Sequence, residues 1–274
     1  MSLVVISREM GSGGTQVGKA VAQRLGYHFV DREVILEAAR RYEVQEEKLA
    51  HLEETKPTFW ERFDHDRERY LVFIQAALYS FAVQDNTVIA GRAAPLLLKG
   101  IAHALRVRIT APLEVRAARV AEEERITQAE AEARVRRYDE ESAARLTHLF
   151  HTDCSSPVHY DLVLNTERGT LESLSQIIEQ TARLDLFQPT PQSLRTLQNL
   201  SRATQVRAAL LRVRGLNTLN IQVRAEGNEV FLEGTVFGPY WAELATRVAQ
   251  TVSGVGKVTC QTSENTPLYT LPRV

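Results

Sequence analysis

Leu3-Val4-Val5-Ile6 is a short unbroken apolar run that stops at a glycine-rich turn, Gly11-Ser12-Gly13-Gly14. Beyond the turn, Val17, Ala20, Val21 and Ala22 recur at helical spacing between Thr15 and Leu25. The pattern predicts a strand, a glycine loop and a helix in succession. Short β-branched or leucine-rich runs at Tyr27–Val30, Thr87–Ala90, Leu105–Thr110 and Asp161–Leu164 predict further strands, of the kind buried on both faces of a parallel sheet. Helical patterns separate them over Arg32–Arg41, Val44–Glu54, Phe59–Val83, Ala93–Lys99, Leu113–Glu124, Gln128–Leu149 and Leu171–Leu184. Strands alternating with helices predict an α/β fold with a doubly wound parallel sheet.

Phe187-Gln188-Pro189-Thr190-Pro191-Gln192 interrupts this alternation, because two prolines in three positions cannot continue a helix. The pattern then changes to a helix over Leu194–Leu211, strands over Leu219–Arg224 and Glu229–Val236, a helix over Tyr240–Val252 and a strand over Lys257–Thr262. That is a second, small α+β module. The expected division is a first domain over 1–186, a linker over 187–195, the second domain over 196–264 and a tail over 265–274. A chain of 274 residues accommodates two domains at roughly 150 residues each.

Lys plus Arg number 33 and Asp plus Glu 34. This balance excludes a globally basic nucleic-acid binder, so nucleic acid is not an expected partner. Cys154 and Cys260 lack CxxC spacing, which argues against a disulfide scaffold or a cysteine-rich zinc site. His151, Cys154 and His159 fall close together without an obvious fourth ligand, and no resident metal site is predicted. No apolar run approaches the roughly 18 residues of a membrane span, and Arg8 and Glu9 arrive too early for a signal peptide. The expectation is a soluble cytoplasmic protein.

The glycine loop carries the first chemical signal. Glycines between a strand and a helix let backbone N–H groups close around an anion, and the helix dipole adds positive potential there. Against the pattern GxxxxGK(S/T), Gly14 is read at the lysine's place and Gln16 at the hydroxyl residue's place. Arg8 is then the nearest substitute cation, with Thr15 or Ser12 supplying a hydroxyl to a metal. Lys19 reads as a surface residue.

Further motifs follow in order: Ile6-Ser7-Arg8-Glu9-Met10-Gly11-Ser12-Gly13-Gly14, Phe29-Val30-Asp31-Arg32-Glu33, Ile89-Ala90-Gly91-Arg92, Ile109-Thr110-Ala111-Pro112-Leu113-Glu114-Val115-Arg116, and Tyr160-Asp161-Leu162-Val163-Leu164-Asn165-Thr166. On these, residues 1–185 resemble the cytidylate-kinase-like branch of P-loop nucleoside monophosphate kinases. The resemblance implies a P-loop kinase-type sheet and transfer of a phosphoryl group from ATP, with Mg²⁺, to CMP or a related phosphorylated acceptor. It implies that Arg8 and the loop residues Gly11, Ser12, Gly13, Gly14, Thr15 and Gln16 cradle the donor phosphates. Asp31, Arg32 and Arg92 would face the acceptor. Arg116, Arg119 and Arg125 would be the catalytic arginines leading into a lid, with Arg137, Asp139 and Arg145 on the helix behind it. Arg116 and Arg119, three apart, share a helix face, though that spacing equally suits a solvated face with Glu122 and Glu123. The family's Gly-Arg-Asp here reads Gly91-Arg92-Ala93, and its Arg-Asp-x-x-Asp-x-x-Arg run reads Tyr138-Asp139-x-x-Ser142-x-x-Arg145. The alternative reading is a catalytically inactive nucleotide-binding sensor or adaptor that signals through the second module. Phe59 and Trp60 read as helical core rather than base-stacking residues.

Glu229-Val230-Phe231-Leu232-Glu233-Gly234-Thr235-Val236, Ala245, Ala249 and Val252-Ser253-Gly254-Val255-Gly256-Lys257-Val258 resemble a BON domain. This resemblance implies a module for binding ligand, lipid or partner protein. Between Gln192 and Ala225 there is no acidic residue, but there are six arginines: Arg195, Arg202, Arg207, Arg212, Arg214 and Arg224. They suit anionic lipid, and equally an arginine face paired with the first domain.

Overall fold

The structure is a computed structural model and describes residues 2–45, 64–84, 86–236 and 238–264. Most of the helix predicted over Val44–Glu54, and Phe59 and Trp60 with it, lies outside the described residues. Strands β1 (Leu3–Arg8), β2 (His28–Val30), β3 (Thr87–Ala90), β4 (Ala104–Thr110) and β5 (Leu162–Asn165) form one parallel sheet in the order β2-β3-β1-β4-β5. The central strand β1 pairs Val4, Val5 and Ile6 with Val88, Ile89 and Ala90 on one side, and on the other runs alongside β4 from Leu3–Ala104 to Arg8–Ile109.

Alternate residues of a strand face opposite sides, so the run at the N-terminus feeds two cores. Leu3 and Val5 join residues of α2 (Glu33–Tyr42), α3 (Asp64–Ala82) and α4 (Ala94–Leu97). Val4 and Ile6 join residues of α1 (Gly14–Leu25) and α7 (Leu171–Ala182). A strand covered on both faces has no polar side, which is why β1 reads as continuously apolar. The expectation of two-sided burial does not hold for β5: it lies at the sheet edge, and Val163 is 45% exposed.

Between β4 and β5, α5 (Leu113–Glu124) and α6 (Gln128–Phe150) pack as a helical hairpin through Ala117, Val120, Ala131 and Val135. Arg125 ends α5 in a left-handed conformation. Thr127 then starts α6 with a capping box, its hydroxyl accepting from the Glu130 amide while the Glu130 carboxylate accepts from the Thr127 amide.

The prolines after α7 take part in a helix start. Thr190 caps α8 (Pro191–Arg212), Pro191 occupies the first turn, where its missing N–H costs nothing, and Ser193 completes a capping box. Ser193 Oγ also lies 2.8 Å from Nδ1 of the fully buried His103. Leu197 and Ala208 of α8 belong to the core around α3, while Val206 and Leu210 belong to the core of the second module. One 22-residue helix is thus built into both.

The second module adds β6 (Ile221–Glu226), β7 (Glu229–Val236), α9 (Pro239–Gln250) and β8 (Lys257–Glu264). β7 is central, antiparallel to β6 and parallel to β8. Gly234 allows the chain to pass Asn220 closely, since a Cβ there would lie 2.1 Å from the Asn220 carbonyl oxygen at a φ of +139°. Among the described residues, no helix is long and apolar enough to cross a membrane.

Candidate functional site

In an open α/β sheet the natural ligand crevice lies beyond the carboxyl ends of the strands. Here β1 ends at Arg8, and the loop from Glu9 to Gly13 leads into α1. Its shape is fixed by glycine. Gly11 and Gly13 have φ of +72° and +75°, and a Cβ on Gly11 would lie 2.5 Å from the Arg116 carbonyl oxygen. A Cβ on Gly14 would lie 2.5 Å from the Arg8 Cβ, so the helix begins directly over the Arg8 stem.

Gly13 caps α1 without any side-chain hydrogen bond, and Val17 is the first residue whose amide bonds back to it. The amides of Gly14, Thr15 and Gln16 therefore have no intrahelical acceptor, and the positive end of the helix is open. All three residues line a cleft of about 440 Å³. Arg8, Lys19, Arg32, Arg92 and Arg119 line it as well, against the carboxylates Glu9, Asp31 and Glu123. Five cations against three carboxylates make a polar, net-positive cleft.

The charges are not equally available. Arg8 Nη2 donates to both oxygens of Asp31, at 2.7 and 2.8 Å, so part of its charge is already matched. Arg119 instead donates to neutral acceptors: Thr166 Oγ1 at 2.8 Å, the Thr166 carbonyl at 2.8 Å and the Gly11 carbonyl at 3.3 Å. It is fastened over the loop by hydrogen bonds with its charge uncompensated by a described carboxylate. Thr166 Oγ1 donates onward to the Ser12 carbonyl at 2.7 Å, tying β5 to the loop. Below the loop, Glu9 accepts from Arg108 Nη2 at 2.5 Å and from Thr110 Oγ1 at 2.6 Å. These contacts hold the crevice floor through β4.

Of the residues predicted for the site, Arg8, Gly11, Gly13, Gly14, Thr15, Gln16, Asp31, Arg32, Arg92 and Arg119 meet in this cleft. Ser12 is fully buried behind the loop, and its hydroxyl has no hydrogen-bond partner among the described residues. Arg116 does not reach the cleft. It is 7% exposed, and its Nη1 donates to Asp139 at 2.7 Å while its Nε donates to the Ala111 carbonyl at 2.9 Å. Its charge is matched by Asp139 on α6 and, at 3.5 Å, by Glu9, so it braces α6 and the loop from behind the cleft. Neither Arg116 nor Arg119 pairs with Glu122 or Glu123. Arg125 and Arg137 are exposed and line no part of the cleft.

Asp139 instead borders a second cavity of about 190 Å³, shared with Arg8, Glu9, Arg92, Ser142, Cys154 and Tyr160. Burial raises the Asp139 carboxyl above its ordinary value, against the opposing pull of Arg116. Burial likewise pushes the Cys154 thiol up to about 11. Arg145 is buried and borders a small apolar recess that also touches Arg92. In the loop read for metal ligands, Cys154 Sγ donates to the Thr152 carbonyl, and His159 Nε2 contacts Thr152 Oγ1 at 3.1 Å.

Lys19 and Tyr138 are two of the lining residues that sequence reasoning did not assign to the site. Lys19 follows Thr15 by one helical turn, so it shares the face that borders the cleft. Tyr138 lies face-on to Arg92, with the guanidinium carbon 3.7 Å from the ring centroid. The reading of the loop also needs one correction. With Gly13 as the last loop glycine and helix cap, Gly14 holds the lysine's place and Thr15, not Gln16, directly follows it. The hydroxyl is present in the first turn of α1; only the ammonium is missing.

In the second module, Arg202 donates to the Gly227 carbonyl, Arg212 pairs with Glu43 of the first domain at 2.9 Å, and Arg224 pairs with Glu226 and covers Phe231. Arg195 donates to Gln192 Oε1 at 3.3 Å and Arg207 is also engaged, so five of the six arginines in the acid-free stretch make internal contacts.

Comparison with known proteins agrees with this architecture. The sequence model of the cytidylate kinase-like family matches residues 3–168, and that of the BON domain matches residues 200–264. A cytidylate kinase of Pyrococcus horikoshii is 29% identical over 187 residues, covering 68% of this chain and 90% of that protein. A cytidylate kinase of Sulfurisphaera tokodaii is 28% identical over 178 residues, covering 65% of this chain and 93% of the relative. Among solved structures, an uncharacterized protein from Eubacterium ventriosum shares the fold with a TM-score of 0.52 at 17% identity, over 66% of this chain and 98% of that one.

Proposed function

The chain belongs to the cytidylate kinase-like family and carries a BON domain, and from this and the cleft we propose that it transfers the γ-phosphoryl group of ATP to CMP or a related phosphorylated acceptor. The observation that carries the proposal is the loop at the end of β1, whose three open amides and helix dipole border a cleft with an excess of cations. Phosphoryl transfer asks little covalent chemistry of a protein; it asks for two substrates in line and positive potential where charge spreads.

In this reading, Gly14, Thr15 and Gln16 hold the donor phosphates through backbone N–H groups. Lys19 and Arg119, neither paired with a described carboxylate, supply the charge that the usual lysine would bring. The loop fits a polyphosphate, because the first-turn residues of α1, whose amides lack intrahelical acceptors, line the cleft together with Lys19 and Arg119. The donor set also fits Mg²⁺, which retains waters and commonly takes few protein ligands when it accompanies phosphates. Thr15, and Asp31 through water, would hold it, and it would neutralise charge on the transferred group. Arg92 and Arg32 border the same cleft and would hold an acceptor phosphate there, and the second cavity, which also touches Arg92, would take the rest of that molecule.

The test is ADP release by the full chain with ATP, Mg²⁺ and a panel of nucleoside monophosphates. Turnover of CMP or another member, reduced in Lys19→Ala, supports the proposal. No ADP release with any member, or a Lys19→Ala variant equal to wild type, overturns it. The glycine in the lysine's place favours a second reading, nucleotide binding without transfer. Calorimetry showing ATP binding with no ADP formed across the panel would select that reading.

A further inference from the structure

Arg92 occupies a junction. It follows β3 through Gly91, whose amide donates to the Ile6 carbonyl at 2.9 Å, so its backbone is fixed beside the central strand. Its side chain borders the main cleft, the second cavity and the apolar recess together. A long arginine at such a junction has many rotamers, and only some of them present the guanidinium edge to an anion. One restraint on it comes from α6. Tyr138 places its ring 3.7 Å from the guanidinium carbon, and the next residue, Asp139, holds Arg116 at 2.7 Å. Consecutive residues of one helix therefore hold two arginines of two different elements.

The geometry of the stack matters chemically. A guanidinium carries its five N–H donors in its own plane, so a ring covering its face leaves those donors at the edge. A carboxylate in Tyr138's place would compete with an anionic ligand for the same donors, and a cation would repel Arg92. An aromatic face does neither, and it attracts the guanidinium through the ring quadrupole. Resting on the proposed kinase function, we propose that Tyr138 is a positioning residue for Arg92, holding the guanidinium flat so that those of its in-plane N–H groups that face the cleft are offered to the phosphate of the acceptor.

The test is a double-mutant cycle on the full chain with ATP as donor and CMP as acceptor. Tyr138→Leu removes the ring face and raises the KM for CMP by roughly 3- to 30-fold, the range spanned by an exposed to a desolvated cation–π contact. The KM for ATP stays within about twofold, because the loss concerns one substrate only. Tyr138→Phe, which keeps the ring, restores the KM for CMP. In an Arg92→Ala background, Tyr138→Leu adds nothing further, because the residue it positions is gone.

An equal rise in both KM values, failure of Tyr138→Phe to restore, or full additivity with Arg92→Ala would each overturn the assignment. If Tyr138→Leu does not fold, Tyr138→Met removes the ring at similar bulk and serves the same comparison. Absence of turnover by wild type with every acceptor is a separate result that removes the kinase reading itself, whereas turnover by wild type with an unaltered Tyr138→Leu removes this inference alone.

Discussion

Gly11 and Gly13 share a left-handed backbone but not the same surroundings, and their alanine variants separate the two constraints on the loop. Both have φ near +70°, at +72° and +75°. Adding a Cβ to either incurs the left-handed penalty of roughly 1–2 kcal/mol. At Gly13 that is all, because the nearest atom to the new Cβ is Arg119 Nη1 at 3.9 Å, an ordinary contact. At Gly11 the Cβ would lie 2.5 Å from the Arg116 carbonyl oxygen and 3.0 Å from its carbon. No side-chain rotation relieves a clash with backbone, and Arg116 is held by Asp139 and the Ala111 carbonyl. Overpacking of this kind adds roughly 1–3 kcal/mol. Gly11→Ala therefore unfolds in urea with a lower stability than Gly13→Ala by about that difference. It also loses ATP affinity, since the loop must leave α5 to relieve the clash. Urea unfolding followed by circular dichroism, with ATP titration of each variant, reads both quantities. Equal destabilisation by the two substitutions would refute the close approach of the loop to α5.

Burial that pushes the Cys154 thiol up to about 11 leaves on the order of a thousandth of it as thiolate at pH 8. Iodoacetamide at that pH should therefore spare Cys154 in the folded chain and label it in urea; equal labelling rates in the two states would contradict its burial. The Glu130 carboxyl is held below its usual range by the Thr127 hydroxyl and the Thr127 amide. Because its folded pKa is depressed, the contribution of the capping box is present above the ordinary carboxylate pKa and is lost as pH falls through the folded value. Glu130→Gln should flatten that part of the acid dependence of unfolding, and parallel acid profiles for variant and wild type would exclude the effect.

The strands of the first domain were legible because they are short apolar runs, and β1 and β3 are buried along nearly their whole length, so each run has clear ends. Leu113–Glu124 and Glu229–Val236 coincide with the observed helix and strand, bounded by Pro112 and Arg125 in one case and by a two-residue turn in the other. Pro191 shows where such reading stops. A proline breaks a helix interior but suits its first turn, and only Thr190 and Ser193 acting together decide which applies.

The phosphate side of the site was legible in the glycines, whose spacing and conformation are local. The arginines were not. Arg116 and Arg119 are one turn apart on α5, yet Arg116 meets Asp139 from α6 while Arg119 meets Thr166 beyond β5. Whether an arginine points at a ligand or at a neighbouring helix is set by tertiary contacts that spacing does not encode. Lys19 could have been recovered from its place one turn after Thr15. Tyr138 was visible in the sequence only as a departure from a family pattern; its contact with Arg92 needed the fold.

The account depends on the loop after β1 acting as a phosphate cradle with Gly14 where the usual lysine would stand. The most direct measurement is titration of the full chain with ATP and Mg²⁺ while following the backbone amide resonances of residues 11–16. The account predicts saturable, concerted shifts of Gly14, Thr15 and Gln16. Resonances at these positions that stay in place, at concentrations where ATP is bound elsewhere or not at all, would contradict it.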